Sequence, residues 1–184
     1  MKLNELAIKG VFEIELEPHI DSRGFFMRTY EETIFKEHGL NEYWPHENQS
    51  FSKDEGIVRG LHFQRKPFGE TKLVRAVSGE LYFVAVDLRK DSETFGQWVS
   101  SLITEENKKM LYTPEGFATG FCTLTNNCNL AYKMGNVFNP DYQGEIAWND
   151  SDLNIKWPIQ NPILSKRDLN AMSFKQFLDK YQFL

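Results

Sequence analysis

The sequence predicts an all-β fold, a sandwich or barrel of short strands, and three observations carry that prediction. Aromatic residues make up 14% of the 184-residue chain, with fifteen Phe, and fall in short runs broken by Gly, Pro, Asn and Asp. Such content favours strands over long helices. Residues 10–17 (GVFEIELE) alternate apolar and acidic, the period of a half-buried strand. From about residue 48 to 134, strand-length apolar segments follow one another with turn residues between them, the pattern of a sandwich or barrel.

Taken in order, 10–17 is the first strand and FFMRTY (25–30) the second. EETIFKEHGL spaces Ile34, Phe35 and Leu40 as a short helix does and ends at Gly39, a residue suited to a helix C-terminus. TKLVRAV and ELYFVAVDL, joined by Ser78-Gly79, predict a hairpin. QWVSSLI, KKMLYT, FATGFCTL and CNLAYKM continue the strands, divided at Glu106-Asn107, Pro114-Glu115-Gly116 and Asn126-Asn127. SFKQFLDKYQFL sets Phe174, Phe177, Leu178 and Tyr181 on one face of a terminal helix that docks on the strands. Residues 1–184 show no repeat and no linker, so one domain is expected.

A net charge of −5, with no clustered Lys and Arg, argues against nucleic acid as a partner. No segment is long and apolar enough for a signal peptide or a membrane span, so no membrane partner and a cytoplasmic location are expected. Cys122 and Cys128 flank a turn, which permits a hairpin disulfide; reduced, packing thiols are the expectation in a cytosolic chain.

The densest chemistry lies in Arg59-Gly60-Leu61-His62-Phe63-Gln64, followed by Lys72. Arg59, His62 and Lys72 are set in text that otherwise reads as core, on strands expected to adjoin. Charged groups are costly there unless paired or working, so the three together suggest a site for an anionic or enolic ligand. Arg59 and His62 have opposite parity and would face opposite sides of a regular strand. Both enter one cavity only if the strand bends or bulges, which Gly60 between them permits. His62-x-Gln64 lacks the second histidine of a His-x-His metal pair, and His19, His38 and His46 all precede it. Neither a metal nor another cofactor is expected.

Over nearly its whole length the chain resembles the dTDP-4-dehydrorhamnose 3,5-epimerases. The matching motifs include Asp21-Ser22-Arg23-Gly24-Phe25-Phe26, Asn48-Gln49-Ser50, the run Arg59 to Gln64, and Lys72-Leu73-Val74. They continue with Val86-Asp87-Leu88-Arg89, Thr94-Phe95-Gly96-Gln97-Trp98, Pro114-Glu115-Gly116-Phe117-Ala118, Tyr132-Lys133 and Leu164-Ser165-Lys166-Arg167-Asp168. The resemblance implies a cupin-type jelly-roll β-barrel with a few short peripheral helices, assembled as a homodimer. It also implies an isomerase of deoxysugar biosynthesis whose substrate is a nucleotide-diphosphate 4-keto-6-deoxy sugar.

Catalytic roles follow by position. His62 matches the family's base, Asp168 the carboxylate that orients it, Tyr132 the acid, and Lys72 the cation for an enolate or diphosphate, with Arg59 nearby. Arg23 and Asn48 match positions that hold the nucleotide, partly across the dimer interface. Phe26, Arg28, His46, Thr119 and Phe138 fall at other substrate-contacting positions. Four of the chain's residues depart from the pattern: Phe83 stands where a carboxylate is common, Thr119 where a histidine is usual, Phe138 where Tyr is frequent, and His46 where Gln is. At Arg28 some members carry a Glu suited to accept from the imide N–H of thymine and others carry Arg; an arginine suits instead a base that offers acceptors, such as cytosine or guanine. The first three departures each remove a polar or titratable group near the expected cavity, which predicts inversion mainly at C-3 rather than at both C-3 and C-5. A keto-isomerase on the same scaffold and a non-catalytic nucleotide-sugar-binding cupin are the alternatives.

Overall fold

The structure is a computed structural model that describes residues 1–184. In chain order the elements are β1 (Lys2–Glu5), β2 (Phe12–Glu15), β3 (His19–Asp21), β4 (Gly24–Phe26), α1 (Glu32–Glu37), β5 (His46–Ser52), β6 (Val58–Gln64) and β7 (Lys72–Ser78). They continue with β8 (Glu80–Asp87), β9 (Trp98–Thr104), β10 (Lys109–Thr113), β11 (Phe117–Thr123), β12 (Cys128–Met134), β13 (Gln143–Glu145), α2 (Lys166–Leu169) and α3 (Phe174–Tyr181). Two antiparallel sheets face each other in a jelly-roll arrangement, with strand orders β1-β2-β10-β7-β12-β5 and β13-β6-β11-β8-β9. They remain two separate sheets rather than one closed barrel, and β3 with β4 forms a small hairpin apart from both.

Period-2 alternation in the strands delivers three apolar layers. Val74, Leu81, Phe83, Phe121 and Leu130 fill the space between the sheets. Leu61, Phe63, Val84 and Val86 point the other way and pack against Phe174 and Phe177 of α3, with Leu178 and Tyr181 beside them. Fully burying each such Phe stabilises the docking by about 1.5–3 kcal/mol. The capping box of Ser173 and Gln176 starts α3 where the sequence places it. The third layer seats Phe35 of α1 against Leu73, Met110 and Tyr112, and Gly39 closes that helix at φ +65°.

The structure corrects several sequence expectations. Ser78-Gly79 is a turn, but β7 pairs with β10 and β12 while β8 pairs with β9 and β11, so the two do not form a hairpin. The turn instead carries the chain between sheets, with Gly79 at φ +77° against Cys128. β11 and β12 likewise belong to opposite sheets, so Cys122 and Cys128 do not flank a hairpin; both are buried free thiols. Burial pushes the Cys122 thiol up to about 12, which leaves it inert. The expected strand 25–30 stops at Phe26, because Met27 and Tyr30 leave it to pack in the third layer. Strands β1, β3 and β13 and helix α2 were too short to leave a periodic signal. No helix is long and apolar enough to cross a membrane.

Part of the motif pattern is structural. Asp87, fully buried at the end of β8, accepts from Arg89, Ser92 and Thr94 and so closes the turn that leads to β9.

Candidate active site

His62 and Lys72 were expected on adjoining strands; they lie instead on opposite sheets and face one another across the sandwich. Between them is a cavity of about 230 Å³ lined by Arg59, His62, Lys72, Thr119 and Tyr132, with Phe83 and Phe121 among its apolar walls. A second cavity of about 150 Å³ shares His62, Lys72 and Tyr132 and adds Glu70, Phe138 and Arg167, so the two adjoin at these side chains and together make up the chamber.

The parity conflict between Arg59 and His62 is resolved by a break in register. Thr119 pairs with His62 and Phe121 with Arg59, so three residues of β11 span four of β6. Gly60 sits in that bulge at φ +129°, and a Cβ there would lie 2.5 Å from Gly120 Cα. Only glycine fits such a conformation and such an approach. The bulge lets Arg59 line the chamber while its guanidinium reaches back to Ser52 Oγ and the Phe51 carbonyl.

His62 Nε2 lies 2.6 Å from Asp168 Oδ1, and Asp168 Oδ2 accepts from Ser165 Oγ at 2.6 Å. Asp168 is 5% exposed and also faces the Gly60 amide. Burial pushes its carboxyl up, but the hydrogen bonds from His62 and Ser165, with the imidazole charge and the amide, outweigh that and hold it below the usual carboxylate range. With Nε2 engaged, Nδ1 is the ring nitrogen left for a ligand.

On the facing sheet, Tyr132 pairs with Val74 of β7 and Asn48 of β5. Burial pushes its phenol above the ordinary range, the Glu70 carboxylate adds to that, and Arg59 opposes it. Lys72 Nζ donates to Thr119 Oγ1 at 2.8 Å and lies 2.7 Å from Glu70 Oε1. The chamber's deep wall is apolar, with Phe83 and Phe121 stacked at 6.4 Å.

The remaining expected residues are distributed less compactly. Phe138 lines the outer chamber and is half exposed. Asn48 donates to Met134 Sδ beside the chamber, and His46 pairs with Met134 at the end of the same strand. Arg23, Phe26 and Arg28 are not brought in. Arg23 is exposed and paired with Asp21, Phe26 is 67% exposed, and Arg28 is paired with Glu31. Sequence reasoning missed Glu70 and Ser50. Ser50 lines the inner cavity with its buried Oγ unpartnered. Shared parity, of Glu70 with Lys72 and of Ser50 with Asn48, was the available signal. No group of three or more His, Cys, Asp or Glu is placed to hold a metal ion.

Comparisons with known proteins point to one family. Residues 5–176 match the family described as dTDP-4-dehydrorhamnose 3,5-epimerase. The enzyme of that name from Shigella flexneri is 44% identical over 175 residues, 95% of this chain and 96% of its own. An epimerase of Mycobacterium tuberculosis superposes with a TM-score of 0.95 at 34% identity, covering 100% of this chain and 93% of the other. A 3′-monoepimerase from Streptomyces bikiniensis, solved with dTDP-quinovose, gives a TM-score of 0.89 at 29% identity, covering 95% and 88%. With its sandwich, its motifs and nearly its whole length in common with these enzymes, the chain belongs to the dTDP-4-dehydrorhamnose 3,5-epimerase family.

Proposed function

We propose that this protein inverts the stereocentre beside the ketone of a nucleotide-diphosphate 4-keto-6-deoxyhexose, with His62 as base and Tyr132 as acid. The observation that carries the reading is their placement on opposite walls of one chamber. Inversion requires a proton to leave one face of a carbon and another to arrive on the opposite face. His62 Nδ1 takes the proton next to the C-4 ketone, and the C–H electron pair becomes an enolate. Asp168 steadies the resulting imidazolium, as a carboxylate does in a catalytic triad. Lys72 supports the charge at the C-4 oxygen, with Arg59 near enough to serve it or the diphosphate. Tyr132 then gives its phenolic proton to the other face of the carbon and recovers one from solvent, to which His62 releases the proton it took.

Thymine suits the outer contacts. Arg28 Nη1 is 2.8 Å from Glu31 Oε2, so the pair offers both a donor for the base's carbonyls and an acceptor for its imide N–H. The bound dTDP sugar of the Streptomyces 3′-monoepimerase supports a thymidine-linked substrate here. Arg23, Phe26 and Arg28 reach a ligand by lending the β3–β4 hairpin to the chamber of a second copy. Ile20, Phe25 and Phe26 on that hairpin are 79%, 54% and 67% exposed, an apolar surface that a homodimer would cover. Sedimentation at micromolar concentration is expected to give a dimer; a monomer would overturn this part of the reading. Two buried free thiols suit a reducing compartment such as the cytoplasm.

The inversion is expected at C-3 and not at C-5. A second inversion needs the intermediate to shift and meet an acid in a new position. Phe83, Thr119 and Phe138 stand on the chamber wall where further titratable groups would serve it, leaving Tyr132 as the acid. In heavy water, with the product trapped by reduction of its ketone, NMR should find one deuterium, at C-3. Full label with inversion at both carbons would refute single inversion; no label at either would refute proton transfer altogether.

A further inference from the structure

Glu70 is a buried charge that the reaction so far leaves without a part. It is 9% exposed and lies just ahead of β7. Oε1 is 2.7 Å from Lys72 Nζ, and Oε2 accepts from Gln64 Nε2 at 3.1 Å. Gln64, 3% exposed on the facing sheet, is itself fixed from several sides. Its Nε2 also donates to the carbonyls of Phe68 and Val137, and its Oε1 accepts from the Asn139 amide at 2.7 Å. At the other end of the series, Lys72 donates to Thr119 Oγ1. An unbroken strut therefore runs from the segment beside Phe138 through Gln64 and Glu70 to Lys72.

An ammonium has three N–H donors on a flexible four-carbon stem. Glu70 and Thr119 occupy two of them, which leaves one for the cavities that Lys72 lines. We propose that Glu70 is a positioning residue: it holds the Lys72 ammonium so that its remaining N–H meets the substrate oxygen on which negative charge develops. The proposal rests on the reading of Lys72 as the cation that supports the enolate. A charge fixed before the reaction needs no rearrangement as the enolate forms, which is where such groups lower a barrier most. Glu70 partly offsets the charge of Lys72, so what it contributes is orientation rather than potential.

The same carboxylate acts on the acid on its own side of the chamber. The titratable and charged groups that line the two cavities with Tyr132 are Arg59 and His62 from β6, Lys72 from β7, Glu70 ahead of it, and Arg167 from α2. Of these, Glu70 is the one that adds to the effect of burial in holding the phenol's proton, while Arg59 opposes it. Removing the charge of Glu70 therefore lowers the pH at which Tyr132 loses its proton.

Glu70→Gln keeps the size of the side chain and an acceptor for its neighbours but removes the charge. Turnover is expected to fall about 10-fold with KM within about 3-fold, and the alkaline limb of the kcat profile should move to lower pH. Glu70→Asp keeps the charge on a shorter stem, so it should restore the alkaline limb without restoring kcat. On a Lys72→Met background, Glu70→Gln should cause no further loss of kcat, because it acts through Lys72. Wild-type kcat and an unmoved alkaline limb in Glu70→Gln would overturn the proposal, as would an undiminished loss on the Lys72→Met background. A wild-type protein that neither exchanges nor inverts its substrate would overturn the underlying reading of the site, a result that the wild-type arm shows before any variant is compared.

Discussion

Replacing His62 by alanine is expected to lower turnover by about 10²- to 10⁴-fold, the usual scale for loss of a general base. Nucleotide binding should stay close to that of the unaltered protein. On the proposed reading His62 meets the ligand at the reacting carbon, whereas the groups expected to grip the nucleotide, Arg23, Asn48 and Arg28, lie outside β6. The substitution leaves Asp168 buried without its imidazole partner, although Ser165 Oγ and the Gly60 amide still face the carboxylate. Some loss of thermal stability should accompany the kinetic effect. The decisive measurement is exchange of the substrate's α-proton in heavy water, which should almost vanish. Exchange at the normal rate would mean that another group is the base.

Tyr132→Phe should separate two events that normally occur together. Removing only the hydroxyl keeps the ring against the inter-sheet core, so the chamber should retain its shape. His62 and Asp168 remain, and the base can still withdraw the proton and return one from solvent to the same face. Deuterium should therefore enter the recovered substrate without inversion, while net epimerisation falls by about 10²- to 10³-fold. NMR of the reduced product reads both quantities in one experiment. Inversion at the wild-type rate would remove Tyr132 from the role of acid and point to water on that wall.

The two variants together test the geometry as well as the residues. His62 sits on the sheet containing β6 and β11, and Tyr132 on the sheet containing β7 and β12. If both substitutions abolished exchange equally, the acid and base would not be acting on opposite faces in sequence. Loss of exchange in one and loss of inversion in the other is the pattern that the facing walls require.

By itself, the sequence determined the all-β class, the positions of the longer strands, and the helix that docks Phe174 and Phe177. Period and turn chemistry are local quantities, and a strand of seven residues repeats its pattern often enough to be read. It also singled out Arg59, His62 and Lys72, because charged groups are conspicuous in otherwise apolar strands, and its motifs brought in Tyr132 and Asp168. Only the tertiary structure decided which strands pair. Alternation reports which face of a strand is apolar but not which strand lies beside it, so TKLVRAV and ELYFVAVDL looked like a hairpin while belonging to opposite sheets. The same holds for the site. Asp168 reaches His62 across more than a hundred residues because Ser165 caps a four-residue helix too short to show any period. Arg59 enters the chamber because a bulge at Gly60 undoes the parity rule, and Glu70 gains a part only when the fold delivers Gln64 to its other oxygen. The hairpin bearing Arg23 and Phe26 stays outside the chamber of its own chain, since those contacts are fixed by distances between elements and not by spacing along the sequence.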